Sequence, residues 1–159
     1  SGGSQAKLRK LVDKGVGYAT DLGMYAIIDW HILSDGNPNK NKSQAKKFFT
    51  TMAKKYKNNK NVIYEICNEP NGCSWKEIKS YATDIIKTIR KYDKKAVIIV
   101  GTPTWSQLGT DGTSNEVADS PIKGYKNIMY SLHFYASEWA HNEYLPAKVA
   151  YARKKKLQN

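Results

Sequence analysis

The stretch Val62-Ile63-Tyr64-Glu65-Ile66-Cys67-Asn68-Glu69-Pro70 decides the fold of this chain. Its β-branched and aromatic residues predict a buried strand over residues 62–69, which the proline ends. The last two residues before the proline are an amide and a carboxylate, Asn68 and Glu69. A carboxylate at the end of a buried strand is costly to desolvate, and catalytic groups are common at the carboxyl ends of strands in α/β proteins. The stretch therefore predicts a functional carboxylate, with an ordinary surface corner between strand and loop as the alternative.

The 159 residues are enough for one domain with a hydrophobic core, expected over residues 5–159. Residues 1–4, Ser-Gly-Gly-Ser, look like a linker and are left out of the fold. No apolar run is long enough for a membrane span, and no signal peptide is recognised. The two cysteines are too few for a disulfide framework, and Cys67 is expected to be a buried free thiol.

The net charge of +12 raises the question of an anionic partner such as nucleic acid. Many of the basic residues fall on the outward faces of predicted helices, as in the run 153–156, and no nucleic-acid-binding motif accompanies them. We therefore interpret the charge as a solvated surface and expect neither a nucleic-acid nor a membrane partner.

Helices and strands alternate along the sequence in the order α-β-α-β-α-β-loop-β-α. The predicted strands are residues 24–31, 62–69, 96–100 and 127–134. The predicted helices are residues 5–22, 44–57 with Ser43 as the cap, a third that begins with a Ser74/Glu77 capping box, and residues 143–156. Residues 104–126 are expected to form a long polar loop.

Strands that are apolar along their length and separated by helices predict a parallel sheet covered by helices. A small open α/β sheet and a piece of an eight-stranded barrel both fit. Polar or aromatic side chains lie at or just beyond the strand ends: His31, Glu69, Trp105, His133 and Tyr135. Their clustering at one face favours the barrel, and the absence of a Gly-rich phosphate loop in the sequence counts against a nucleotide-binding sheet.

Four motifs closely resemble those of glycoside hydrolase family 5 cellulases. They are Ile28-Asp29-Trp30-His31, Tyr64-Glu65-Ile66-Cys67-Asn68-Glu69-Pro70, Gly101-Thr102-Pro103-Thr104-Trp105-Ser106-Gln107 and Leu132-His133-Phe134-Tyr135. The family consists of retaining endo-β-1,4-glucanases with a (β/α)8 barrel. The resemblance extends from Leu8 to about Leu157 and implies a partial, half TIM barrel corresponding to strands three to six.

The resemblance also implies roles for single residues. Glu69 would be the general acid/base, and Asn68 would bind the sugar 2-hydroxyl and orient the nucleophile. His31, His133 and Tyr135 would line the cleavage subsite, and Trp105 would stack on a glucose ring on the leaving-group side. Indole faces and a carboxyl group in a low-dielectric pocket suit this chemistry. The alternatives are core packing for His31 and His133 and loop packing for Trp105.

The sequence departs from the family pattern at the second carboxylate. The family's nucleophile is a Glu at the end of strand seven, and a retaining mechanism places it about 5–5.5 Å from the acid/base. The match stops before that strand, and it also lacks the family's active-site arginine and the tryptophan of strand eight. Glu138, in Ser137-Glu138-Trp139-Ala140, superficially resembles the nucleophile's surroundings, but an ordinary loop residue is the simpler interpretation.

A half-barrel would have two open sheet edges and an exposed apolar face, so a homodimer or a complementary fragment is expected to close it. Strand alternation places Glu65 on the same face as Glu69, where its carboxylate needs a partner and has a structural rather than a catalytic role. The expected function is retaining hydrolysis of β-1,4-glucan (cellulose) without a cofactor or metal. The alternative is a non-catalytic half-barrel that binds glucan. Secretion is expected because the family's substrate is a polymer.

Overall fold

A computed structural model describes residues 4–157, so that residues 1–3 of the predicted linker lie outside the described residues. The strands are Ala26–Asp29 (β1), Val62–Glu65 (β2), Val97–Val100 (β3) and Ile128–Tyr130 (β4). The helices are Gln5–Asp21 (α1), Lys42–Tyr56 (α2), Trp75–Arg90 (α3), Pro103–Ser106 (α4), Glu116–Asp119 (α5) and Trp139–Lys154 (α6). A 3-10 turn, Pro38–Asn41, precedes α2.

The sheet contains four strands in the order β1-β2-β3-β4, and every neighbouring pair is parallel. Asp29 lies opposite Glu65, which in turn lies opposite Ile99. Sequential strands therefore lie side by side with their carboxyl ends at one edge, as the alternation of strands and helices predicts. The predicted α/β architecture is confirmed.

The core lies between the middle of the sheet and the two helices α2 and α3. Residues of α3 that repeat at helical spacing are fully buried: Ile78, Tyr81, Ala82, Ile85, Ile86 and Ile89. Phe49 of α2 packs edge-on against Tyr64 of β2, with ring centroids 6.1 Å apart. The predicted capping box is present at the start of α3, where Ser74 and Glu77 each bond the other's backbone N–H.

The strands are shorter than the sequence predicts. β2 ends at Glu65 rather than at residue 69, although the Ile66 N–H still donates to the Ile99 carbonyl at 3.0 Å. β1 ends at Asp29, two residues before His31. The candidate site residues therefore lie on the segments that leave the sheet. The sequence predicted a longer β2 because Ile66 and Cys67 continue its apolar pattern after strand pairing ends.

Two further sequence predictions were wrong. Ser43 does not cap α2, because the 3-10 turn leads into the helix two residues earlier than predicted and places Asn41 at the N-cap. The long polar segment 104–126 is not wholly irregular, because it contains the short helix α5. The turn labelled α4 is not a regular helix, since its residues Thr104, Trp105 and Ser106 have positive φ values.

The apolar residues that repeat at helical spacing in and just after α1 lie largely in solvent. Leu8, Leu11 and Leu22 are 54%, 56% and 74% exposed, and Val16 is the buried residue of this helix. Between Ser4 and Leu157 the structure contains no helix with the length and hydropathy needed to cross a bilayer.

Candidate active site

The segments that follow β2, β3 and β4 meet at an open cleft of about 470 Å³. Among its lining residues are four from the sequence prediction and two that were not predicted: Glu69, Trp105, His133, Tyr135, Gln107 and His141. The cleft lies at the carboxyl ends of the strands, where parallel α/β proteins place their functional groups.

Glu69 and His133 form the central contact of the cleft. Nδ1 of His133 lies 2.8 Å from Oε1 of Glu69, and both side chains are partly buried. One proton serves this contact: either the imidazole N–H donates to a carboxylate, or a protonated carboxyl donates to the ring nitrogen. Oε2 of Glu69 has no hydrogen-bond partner among residues 4–157, which leaves one carboxyl oxygen available to a ligand.

Asn68 is oriented by a second chain of polar contacts. Nδ1 of His31 lies 2.7 Å from Oδ2 of Asp29, so that the imidazole N–H donates to the carboxylate and Nε2 becomes an acceptor. The Asn68 amide nitrogen then donates to Nε2 of His31 at 3.4 Å and to the Ile32 carbonyl at 3.5 Å. With its nitrogen committed to these acceptors, the Asn68 side-chain oxygen remains free.

Two carboxylates lie side by side on the inner face of β1 and β2. Burial raises the pKa of Asp29, although its hydrogen bond to His31 opposes the shift. Burial and the neighbouring charge of Asp29 raise the pKa of Glu65. The Glu65 carboxylate has no ion-pair or hydrogen-bond partner within the described part of the chain, so the partner expected for it from the sequence is not found there.

Trp105 reaches the cleft from a strained segment. Thr104, Trp105 and Ser106 have φ values of 56°, 53° and 64°, in the left-handed region that residues other than glycine rarely adopt. Backbone bonds hold this conformation: the Trp105 N–H donates to the Pro70 carbonyl at 3.0 Å, and the His133 N–H donates to the Ser106 carbonyl at 2.7 Å. The indole is 51% exposed at the wall of the cleft, as a stacking surface requires.

Tyr135 and Glu138 lie on the segment between β4 and α6. Tyr135 is exposed at the cleft, and its ring stacks on His141 with centroids 6.3 Å apart. Glu138 lines the same cleft and is the N-cap residue of α6, with its carbonyl accepting the His141 N–H at 3.1 Å. This local hydrogen bonding is what an ordinary loop residue at a helix start shows.

Gln107, His141 and Tyr144 form a network that sequence analysis missed. Nδ1 of His141 accepts the Tyr135 N–H at 3.0 Å, so the neutral ring carries its hydrogen on Nε2. Nε2 lies 3.2 Å from the Gln107 amide, whose other end contacts the Tyr144 hydroxyl. The donors and acceptors match when the Gln107 oxygen faces His141 and its nitrogen faces Tyr144. Gln107 belongs to a quoted motif, which was the available signal.

The predicted residues thus divide into two groups. Glu69, Trp105, His133 and Tyr135 line the cleft together, whereas His31 and Asn68 belong to the adjoining network with Asp29. Within residues 4–157 no group of three or more His, Cys, Asp or Glu side chains is arranged to hold a metal ion.

Comparison with known protein families shows which family this chain belongs to. A model described as cellulase (glycosyl hydrolase family 5) matches residues 2–158. The chain belongs to glycosyl hydrolase family 5. The family resemblance inferred from the four motifs is therefore confirmed.

Curated family 5 relatives are longer than this chain. An endoglucanase of Clostridium saccharobutylicum is 51% identical over 151 residues, covering 94% of this chain and 31% of the relative. Endoglucanase A of Butyrivibrio fibrisolvens is 51% identical over 134 residues, covering 84% of this chain and 29% of the relative. The chain therefore spans about a third of the length of these relatives.

Solved family 5 structures match the fold closely. The catalytic domain of a Thermobifida fusca endoglucanase superposes with a TM-score of 0.85 at 42% identity, covering 97% of this chain and 50% of that domain. A variant of that domain in complex with cellotetraose superposes with a TM-score of 0.77 at 34% identity, covering 97% of this chain and 62% of the other. The predicted partial TIM barrel is confirmed.

Proposed function

We propose that this chain carries the acid/base half of a retaining glycoside hydrolase that acts on β-1,4-glucan. One observation carries the proposal: Glu69 meets His133 at 2.8 Å inside a cleft whose wall also presents the exposed Trp105. A carboxyl group can transfer a proton to and from the glycosidic oxygen, and an indole face can stack on a sugar ring, so the two together suit cleavage of a glycosidic bond. The endoglucanase relatives and the cellotetraose complex of a family 5 domain support glucan as the ligand.

In the proposed reaction Glu69 begins protonated. It gives this proton to the glycosidic oxygen as the bond to the anomeric carbon breaks and the nucleophile bonds to that carbon. Ionised Glu69 then removes a proton from the water that hydrolyses the glycosyl-enzyme intermediate. In this proposal His133 stabilises the ionised form by donating from Nδ1, and the Asn68 side-chain oxygen, which has no partner from its own network, accepts a hydrogen bond from the sugar 2-hydroxyl.

We expect the nucleophile to come from a barrel strand other than the four described here. Glu138 is the alternative within this chain, because it lines the same cleft as Glu69. Its exposed position at the N-cap of α6 offers nothing that would hold it at the separation a retaining mechanism needs.

The test is release of reducing sugar from carboxymethyl-cellulose by a complete barrel that contains this chain and the strand expected to supply the nucleophile, with Glu69→Gln and Glu138→Gln as a matched pair. We expect Glu69→Gln to lose activity by roughly 10²–10⁴-fold, because general acid/base catalysis contributes about that much. Glu138→Gln should retain the wild-type rate. Equal rates for wild type and Glu69→Gln would contradict the acid/base role, and loss in Glu138→Gln alone would assign the reaction to Glu138.

The second candidate function is glucan binding without cleavage. It is favoured by the fact that the cleft presents the aromatic side chains of Trp105 and Tyr135 beside a single proposed catalytic carboxylate. A complete barrel containing this chain that binds cellotetraose and releases no reducing sugar from carboxymethyl-cellulose would establish this function instead.

We also propose that a second copy of the chain covers its open edges. Within residues 4–157, β1 and β4 each pair on one side only, and apolar residues lie exposed on or near them, including Ile27 of β1 and Phe134 after β4. Since the chain covers half of a solved family 5 domain, two copies about a two-fold axis would supply eight strands.

Light scattering over a range of protein concentrations tests this assembly. A mass twice that of the chain is expected, and a monomer at high concentration would contradict the homodimer. Binding of a separately supplied family 5 barrel fragment by that monomer would identify a complementary fragment as the partner. We propose secretion as well, since a cellulose polymer must be met outside the cell.

A further inference from the structure

Helix α6 contains a buried lysine for which the proposed reaction has no use. Lys148 is 3% exposed and lies on the buried face of the helix, between Leu145 and Ala152. An ammonium group is rarely buried unless partners compensate for its lost hydration. The surroundings of Lys148 should therefore contain groups that its charge holds in place.

The partners of Lys148 are backbone carbonyls of one loop. Nζ donates to the carbonyl oxygen of Gln107 at 3.2 Å and to that of Asp111. The loop also passes close to the charge at Gly109, where a Cβ atom would lie only 2.7 Å from Nζ. Burial lowers the pKa of Lys148, and the charges of Asp111 and Glu116 oppose that shift. Residues 107–111 thus wrap around a single buried ammonium group.

This loop continues the strained segment that carries Trp105. Leu108 has a φ of 63°, so that four non-glycine residues between 104 and 108 adopt positive φ. Each such residue costs roughly 1–3 kcal/mol and persists only where its surroundings hold it. Part of this conformation is held by the residue range just after β3, because the Leu108 N–H donates to the Thr102 hydroxyl at 2.9 Å. The side of the loop that faces α6 needs a restraint of its own.

Side chains of helix α6 contact Gln107 at its backbone carbonyl and at its side-chain amide. Lys148 binds its backbone carbonyl, and His141 and Tyr144 bind its side-chain amide. Gln107 is two residues from Trp105 in the chain, so these contacts limit where the indole can lie.

We propose that Lys148 is a positioning residue, which holds the 104–111 segment in the conformation that presents Trp105 to the cleft. Lys148 does not touch a ligand in this role and acts through the carbonyl groups of Gln107 and Asp111. The part of the proposal that concerns sugar binding rests on the proposed function of Trp105 as a glucan platform. The part that concerns the indole position is independent of that proposed function.

Fluorine NMR of protein labelled with 5-fluorotryptophan tests the indole position without any ligand. The chain has four tryptophans, and Trp105→Phe identifies the resonance of interest. Lys148→Met removes the charge and the donors while keeping an unbranched stem of similar size. Lys154→Met, at an exposed position of the same helix, is the matched control. Lys148→Gln keeps a donor without the charge.

We expect Lys148→Met to shift or broaden the Trp105 resonance while Trp30 and Trp75, which pack against the core, keep their wild-type positions. Lys148→Gln should be intermediate, and Lys154→Met should match the wild type. An unchanged Trp105 resonance in folded Lys148→Met would overturn the proposal. So would equal displacement of Trp30 and Trp75, or failure of both Lys148 variants to fold, since Lys148 would then support the whole fold.

A double-mutant cycle extends the test to sugar binding. Lys148→Met should weaken cellotetraose binding several-fold when Trp105 is present and cause no further loss in Trp105→Ala. Additive losses would show that Lys148 acts independently of the indole. If the wild type binds no cellotetraose, the glucan function fails, and the NMR result still decides the role of Lys148.

Discussion

Helices α1 and α3 carry the same kind of apolar stripe and use it differently. In α3 the stripe is completely buried, with Ile78, Ile85 and Ile86 at 0% exposure against the middle of the sheet. In α1 Leu8 and Leu11 are more than half exposed. Periodicity predicts which face of a helix is apolar, but it does not reveal what covers that face. The difference locates the stability of the described fold in its middle and leaves the outer face of α1 available for another surface.

The candidate site follows the same division. Asn68 and Glu69 continue directly from β2, whose following residues Ile66 and Cys67 are fully buried. The side chains of Trp105 and Tyr135 are exposed, and both belong to segments that contact α6 through Gln107 and through the Tyr135 N–H. Glu69, the proposed acid/base, therefore follows the buried middle of the sheet, and the aromatic residues proposed to contact the sugar lie on segments that the proposal ties to α6.

The largest expected effect separates the two helices directly. Ile86→Ala should lower the free energy of unfolding by about 2–5 kcal/mol, because it leaves a cavity in a filled core. Leu11→Ala should change it by no more than about 0.5 kcal/mol, since a solvent-exposed side chain loses little. Urea denaturation of both variants gives the two values.

Similar losses for Ile86→Ala and Leu11→Ala would contradict this division of the fold. A loss for Leu11→Ala that grows with protein concentration would sharpen it, because it would indicate that the face of α1 is covered in an assembly.

Helix starts provide a second matched pair. Ser74 accepts the Glu77 N–H at 3.2 Å, and Ser74→Ala should cost about 1 kcal/mol of stability. Ser43 lies inside the first turn of α2 and contacts only the Gln44 side chain, at 2.8 Å, so Ser43→Ala should be nearly neutral. Thermal denaturation distinguishes the two, and an equal loss for Ser43→Ala would restore Ser43 as the cap of α2.

The smallest expected effect concerns the ion pair that joins the start of α2 to α3. The hydrogen bond from Lys42, at 2.9 Å, lowers the pKa of Asp84. A lowered carboxyl pKa contributes stability above the unfolded value of about 3.9, and this is lost as the pH falls through the folded value. Asp84→Asn should therefore cost a few tenths of a kcal/mol near neutral pH, after discounting for solvent screening, and progressively less at an acidic pH below the unfolded value.

Urea denaturation of Asp84→Asn and wild type at these two pH values measures the difference. A stability difference that is the same under both conditions would mean that the Asp84 charge is not its source.

Much of the fold was predictable because its rules are local. Apolar runs separated by helical stripes identified four parallel strands, and Ser74 and Glu77 fixed the start of α3. The ends of the strands were not predictable, since Ile66 and Cys67 continue the apolar pattern of β2 after its pairing ends. Burial there comes from packing in the core rather than from the sheet.

The candidate site was predictable where strand ends supply it and not where the loop does. Glu69, His133 and Trp105 meet as the motifs indicated. The positive φ values from Thr104 to Leu108 left no trace in the sequence, because no glycine occurs among these residues. Lys148 did leave a signal: a lysine in the stripe that includes Leu145 and Ala152 is a charge at a buried position.

Calorimetric titration of cellotetraose into Glu69→Gln, alone and combined with Trp105→Ala, tests the glucan cleft most directly. Glu69→Gln prevents turnover and leaves the aromatic wall intact, so it should bind the tetrasaccharide saturably. Adding Trp105→Ala should weaken binding by about tenfold, because one sugar–indole stack is worth about 1.4 kcal/mol. Absence of binding by Glu69→Gln, or equal affinities with and without the indole, would contradict a glucan site at this cleft.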